Sequence, residues 1–319
     1  MLFSRYFACI GVATITMGLM VEVAASDHHD MNLPPCNTVI NIMTVDQIRA
    51  MAASTIGDLL GDENQDQLDD ALMTYTGTTK YDVLVSKVCG SCADYYDRLV
   101  GQQSDGEDND AWMEHCGPDV YGYNATHSAL VLHPIDPMTN APLNGVRNVI
   151  FQYKGATGFS LEDAFSTSFP TINITEALSS ALNQTSGDFF ASINLPEVLL
   201  VGASSGLIAI GPDYMGTGES AAMLDRAFNT AQSVQQTTVV AYLAAYDYTV
   251  AATNGCTQMS DTAAVFGFSL GGAAAIWGSL ALSTIGVSIE RCFSGSGVYS
   301  NVLIAQGIFG KWEKERDAQ

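Results

Sequence analysis

The stretch TAAVFGFSLGGAAAIW, residues 262–277, constrains this chain more than any other. A short apolar run, Ala263-Ala264-Val265-Phe266, leads into Gly267-Phe268-Ser269-Leu270-Gly271, and an alanine-rich segment follows at once. That order reads as strand, tight turn and helix, with a G-x-S-x-G pentapeptide at the turn. The geometry accounts for the residue types. Ser269 has to sit on a strained turn that pushes its hydroxyl out above the sheet. Gly267 and Gly271 stand two positions either side, where a Cβ would collide as strand and helix pack closely. The N–H of Leu270, in the first turn of the helix, can then face a developing oxyanion. In a chain with 29 glycines a bare pentapeptide can also be a plain Gly/Ser turn. The flanking strand and helix favour the functional reading.

The N-terminus reads as a targeting segment. Arg5 carries the charge of the first five residues, residues 6–21 are almost entirely apolar, and Val23-Ala24-Ala25 offers small residues for cleavage before Ser26. Residues 1–25 are therefore expected to be a signal peptide, with the mature chain secreted or in the secretory lumen. The apolar run is shorter than the ~20 residues of a spanning helix, so no stable membrane insertion is expected. Cys36, Cys89, Cys92, Cys116, Cys256 and Cys292 remain after cleavage, an even set that suggests disulfides in such a compartment. The expected pairing joins Cys256 to Cys292, which flank neighbouring strands, and the other four among themselves. Cys89-Gly-Ser-Cys92 has no second C-x-x-C and no nearby histidine pair, which favours a structural disulfide over zinc. Sequons at Asn124, Asn173 and Asn183 suit glycosylation in the same compartment.

With 34 acidic against 12 basic side chains, the net charge is −22, which argues against nucleic acid or an anionic membrane surface as partner. Much of that charge lies at 58–70 and 105–110. Asp62, Asn64 and Asp66 alternate as in a calcium loop, but Gln67 stands where the loop needs glycine and Met73 where it needs glutamate. A solvated acidic loop is the better reading, and no metal or cofactor is expected.

Strands are expected at 81–88, 128–133, 146–153, 207–210 and 289–294, besides the one before Ser269, and one long helix at 219–252. Strands alternating with helices after residue 146 predict an α/β fold with a mostly parallel central sheet covered by helices on both faces. At 319 residues and 47% hydrophobic, the chain can bury one large core.

Gly211-Pro-Asp-Tyr-Met-Gly-Thr-Gly-Glu-Ser220, upstream of the Ser269 pentapeptide, resembles the P-D-x-x-G-x-G-x-S loop of the α/β-hydrolase superfamily. Residues 128–158 are similar to its secreted lipase and carboxylesterase branch, where a strand, a D-P turn and a second strand lead to an H-G-T-x-G loop. The resemblance spans about residues 81–300. It implies a serine hydrolase acting on small-molecule or lipid carboxylic esters, with Ser269 as nucleophile. Leu270 and the Gly155-Ala156 loop would supply the oxyanion hole, and Asp213 would be structural.

The chain departs from that pattern in two ways. Lys154 stands where the family usually has histidine in the oxyanion loop; it keeps a donor but changes charge and geometry. More important, a serine hydroxyl needs a base, normally a histidine that follows it in this fold. All five histidines, His28, His29, His115, His127 and His133, precede Ser269. Glu290 falls at the wrong end of its strand to serve as the acid. The expected organisation is a signal peptide (1–25) and an acidic segment (26–80), then a hydrolase domain (81–310) with an insertion near 89–123, and a charged tail (311–319). The domain is expected to lack the last strands and the acid and histidine loops, and so to be inactive or incomplete. Two alternatives stand beside the esterase: a non-catalytic binding protein on a degenerate hydrolase fold, and a peptidase of the same fold.

Overall fold

A computed structural model describes residues 35–60, 73, 77–101, 110–154, 197–224, 230–295 and 297. Its centre is a seven-stranded sheet. The strands are β1 (Thr38–Met43), β2 (Asp82–Gly90), β3 (His127–Ile135), β4 (Gly145–Tyr153), β5 (Ile208–Pro212), β6 (Thr257–Phe268) and β7 (Ser288–Gly295). They lie in the order β1-β2-β3-β5-β4-β6-β7. The first three pairings are antiparallel, and β5-β4, β4-β6 and β6-β7 are parallel. Most strands therefore run one way, with β1 and β3 reversed.

Alternation along the strands sorts the core onto two faces. Val83, Val85, Leu130, Leu132 and Ala209 pack with Ile48 of α1 (Val45–Leu60) and with Leu199 and Leu200 of α4 (Glu197–Ser204). On the other face Val88, Val131, Phe151, Tyr153, Ile210 and Val265 pack against α5 (Ala231–Ala252) and α6 (Leu270–Thr284). Tyr153 holds this second layer together. Its hydroxyl bonds Thr238 Oγ1 of α5 at 2.7 Å, and it lies so close to α6 that a Cβ on Gly278 would collide with it. The cysteine-bearing stretch forms α2 (Cys92–Gly101) and a short α3 (Met113–Cys116), which pack on α5. Among the described residues, no helix is long and apolar enough to cross a membrane.

Three elements differ from expectation. β1 is an edge strand that the sequence reading did not find. It leads into α1 through a capping box, with Thr44 Oγ1 accepting from Gln47 N–H and Gln47 Oε1 accepting from Thr44 N–H. The expected helix at 219–252 is two elements. A 3-10 turn covers Gly218–Ala222, and α5 starts at Ala231, because the Thr230 hydroxyl caps it by accepting from Ser233 N–H.

The third difference is in the cysteines. Cys36–Cys89 and Cys92–Cys116 are bonded, but Cys256 and Cys292 are not bonded to each other. Cys256 precedes Thr257 at the start of β6, whereas Cys292 lies beside Val265, nine residues beyond Cys256. At about 3.3 Å per residue the two are about 30 Å apart along the sheet.

Candidate functional site

Parallel strands β5, β4 and β6 are neighbours and end together, so the residues following them share one rim of the sheet: Asp213, Lys154 and Ser269. In open parallel sheets this carboxyl rim is where ligands bind.

Ser269 occupies the junction of β6 and α6 with φ 57° and ψ −126°, a conformation that L-residues rarely hold. Its N–H donates to the Gly295 carbonyl at 2.9 Å and its carbonyl accepts from Gly272 N–H at 2.9 Å, so the turn is fixed from both sides. The Ser269 hydroxyl caps no N–H of α6. A Cβ on Gly267 would strike the carbonyl of Gly271, and one on Gly271 would strike the carbonyls of Tyr153 and Lys154. The chain can therefore turn this sharply, and the helix can sit this close to β4, because those positions lack side chains. Leu270 opens α6, where the first N–H groups of a helix have no intrahelical partner.

Next to the turn lies a buried polar network. Lys154 Nζ is 3.7 Å from Asp213 Oδ1, and both side chains are buried. The ammonium lies 5.7 Å from the centre of the Tyr214 ring, while the Tyr214 hydroxyl donates to the Lys154 carbonyl at 2.5 Å. Burial raises the pKa of that phenol well above its usual value. Asp213 Oδ2 accepts from the Ser128 hydroxyl at 2.6 Å, and Ser128 Oγ accepts in turn from Glu219 N–H at 3.1 Å. Glu219 pairs with Lys87, whose side chain is fully buried, at 2.5 Å. Gly218, at φ 56°, lets the loop pass; a Cβ there would collide with Ser128 Oγ and the Asp213 carboxylate. The Cys36 and Cys89 sulfurs and the Glu219 carboxylate lie within 4.8 Å of one another. The sulfurs are joined in a disulfide and the carboxylate is taken by Lys87, so this trio is not a metal centre.

His127 and His133 lie away from Ser269. His127 and His133 are the first and seventh residues of β3, separated from β6 by β5 and β4. At about 4.8 Å per strand spacing that is about 14 Å. Both are buried within β3. His133 Nε2 bonds Thr249 Oγ1 at 2.8 Å, and neither ring nitrogen of His127 has a hydrogen-bond partner among the described residues. Burial pushes both imidazoles down to about 4. His115, on α3, is also buried, and its pKa is lowered by desolvation. A shallow depression of about 560 Å³ beside α3, lined by Met113, Glu114, Pro118 and Asp119, is remote from the Ser269 rim in sequence and holds no serine or histidine.

Asn124 is exposed just before β3. Gly155, Ala156, Asn173 and Asn183, and the segments 1–25 and 311–319, lie outside the described residues. The sequence reading singled out Lys154 and Asp213 but missed Ser128, Lys87 and Glu219. Their one sequence signal was polarity inside otherwise apolar strands: Lys87 in DVLVSKVCG and Ser128 in HSALVLHPI.

The sheet has an antiparallel start, a crossover that places β5 between β3 and β4, and a strained serine after the next parallel strand. The fold is the α/β-hydrolase fold. No family model matches the chain, and no curated protein does. Among solved structures, it is similar to the rice cell wall degrading esterase LipA from Xanthomonas oryzae, at 16% identity and TM-score 0.40, covering 78% of this chain and 46% of that one. It is also similar to Candida Antarctica lipase A, at 10% identity and TM-score 0.34, covering 80% of this chain and 41% of that one. An esterase from Pseudomonas putida matches at 15% identity and TM-score 0.27, covering 76% and 54%. The chain thus spans about half the length of these structures, and the fold assignment rests on its own strand order and directions.

Proposed function

We propose that this chain is a serine hydrolase that acts on carboxylic esters through Ser269. The observation that supports this best is Ser269 itself, held at φ 57° between a parallel strand and a helix. Its Oγ would attack the acyl carbon as a base takes its proton; the tetrahedral intermediate would then collapse by breaking the bond to the alcohol, which leaves with that proton, and water would cleave the acyl-enzyme to the free acid. The Leu270 N–H, at the positive end of α6, would stabilise the tetrahedral oxyanion together with an N–H from Gly155-Ala156. The distances in the sheet argue against His127 and His133 as the base. The esterases and lipase named above make small-molecule esters the substrate class to try first. Two disulfides are compatible with an oxidising, secretory setting.

A second reading, a binding protein on a hydrolase scaffold, is favoured by one observation: His127 and His133 are locked into β3, away from Ser269. The same experiment separates the two. Exposing the protein to p-nitrophenyl butyrate and to a fluorophosphonate should give turnover and a covalent adduct, both abolished by Ser269→Ala. Absence of both reactions in the parent protein would favour the binding reading.

A further inference from the structure

We propose that Lys154 is a positioning residue for Ser269, acting through its buried ion pair with Asp213; this rests on the ester-hydrolase reading. The pair lies 3.7 Å apart on the carboxyl rim, between the ends of β4 and β5, and Ser269 follows the neighbouring strand β6.

The pair belongs to a line of polar contacts that crosses the rim. It starts at Lys87 on β2 and passes through Glu219 to Ser128 at the start of β3. From there it runs through Asp213 after β5 to Lys154 after β4. At its β4 end the line meets the serine turn directly. The carbonyls of Tyr153 and Lys154 lie against Gly271, where no Cβ fits, and the Tyr214 hydroxyl anchors the Lys154 carbonyl.

The place of those two carbonyls limits how close the first turn of α6 can come to β4. It thereby sets where the Leu270 N–H and Ser269 stand. A buried ion pair is a costly way to join two strand ends, but each partner strongly resists being left unpaired, so the geometry is held tightly. The Lys154 side chain is engaged with Asp213, which points to a positioning role.

The test uses the full-length protein and compares Lys154→Met, Lys154→Arg, Asp213→Asn and the double variant Lys154→Met/Asp213→Asn. Measured are kcat and KM on p-nitrophenyl butyrate, the rate of fluorophosphonate labelling, and the melting temperature. Lys154→Met and Asp213→Asn should each lower kcat and labelling about 10²-fold, the effect of a misplacement of about 1 Å, with KM changed less than about threefold. The double variant should lose no more than the larger single loss, because both substitutions break the same ion pair, and Lys154→Arg should recover about tenfold. A folded Lys154→Met protein with kcat within about threefold of the parent overturns the proposal, as do losses that multiply in the double variant. If Lys154→Met does not fold, the double variant, which strands no buried charge, is judged by the same kcat criterion. A parent inert to both probes overturns the hydrolase reading and this assignment with it, an outcome distinct from any failure confined to the variants.

Discussion

Replacing Ser269 by glycine should make the protein more stable while removing its proposed nucleophile. The residue sits at φ 57° and ψ −126°. Holding a residue with a Cβ in such a region costs about 1–3 kcal/mol. Glycine relieves that strain, but its freer unfolded chain takes back about 0.5–1 kcal/mol. The hydroxyl caps no N–H of α6, so no capping bond is lost with it. The balance is a gain of about 1 kcal/mol, equivalent to about 2–4 °C in melting temperature for a domain of this size. Ser269→Ala is the control. It removes the same hydroxyl but keeps the Cβ and the strain, and should stay within about 0.5 kcal/mol of the parent. Urea unfolding followed by tryptophan fluorescence, together with thermal melts of all three proteins, measures the differences. If Ser269→Gly proves less stable than Ser269→Ala, the turn is not strained and the argument from backbone conformation collapses.

Three other outcomes are expected. His127 and His133 titrate near 4 in the folded protein, below the value of about 6.5 in an unfolded chain. The unfolded state therefore takes up protons first as pH falls. Stability should be lost from about pH 6.5 down to about pH 4, by about 2 kcal/mol per histidine at pH 5. Urea midpoints measured against pH should show this slope, and His127→Leu should remove about half of it; an unchanged slope would contradict the burial account. Replacing Cys92 and Cys116 together by alanine opens a loop with a sequence separation of 24 and should cost about 3.5 kcal/mol in urea unfolding. A loss below about 1 kcal/mol would mean that the crosslink does not restrain the unfolded chain. Asn124 is exposed and should carry a glycan when the protein is made in a secretory host. Digestion with an N-glycosidase should shift the mass of the parent more than that of Asn124→Gln, and equal shifts would rule the site out.

Features set by short-range physics were legible in the chain. The turn at Ser269 needs a strand before it, a helix after it and two missing side chains, and all of these lie within one short run of residues. β3 and β5 carry near-continuous apolar runs bounded by turn residues, and β2 alternates enough to read as a strand. β1 was not legible because it is a short edge strand; Val39 and Ile42 are exposed and the hydrophobic signal is thin. The cap at Thr230 was overridden by the apolar pattern that runs through 219–252.

The local machinery was written in the chain: strand-turn-helix at Ser269, glycines at 267 and 271 where backbones meet, and layers fit for a covered sheet. Tertiary structure alone decided the rest. The insertion of β5 between β3 and β4 brings Ser128 and Asp213, 85 residues apart, within hydrogen-bond reach, and Lys87 and Glu219, 132 apart, into an ion pair. It also carries His127 and His133 into the core and away from the serine. Local propensity acts over a few residues along the chain, whereas these contacts depend on which strand lies beside which. Strand order is settled only when the two faces of the whole sheet are buried together.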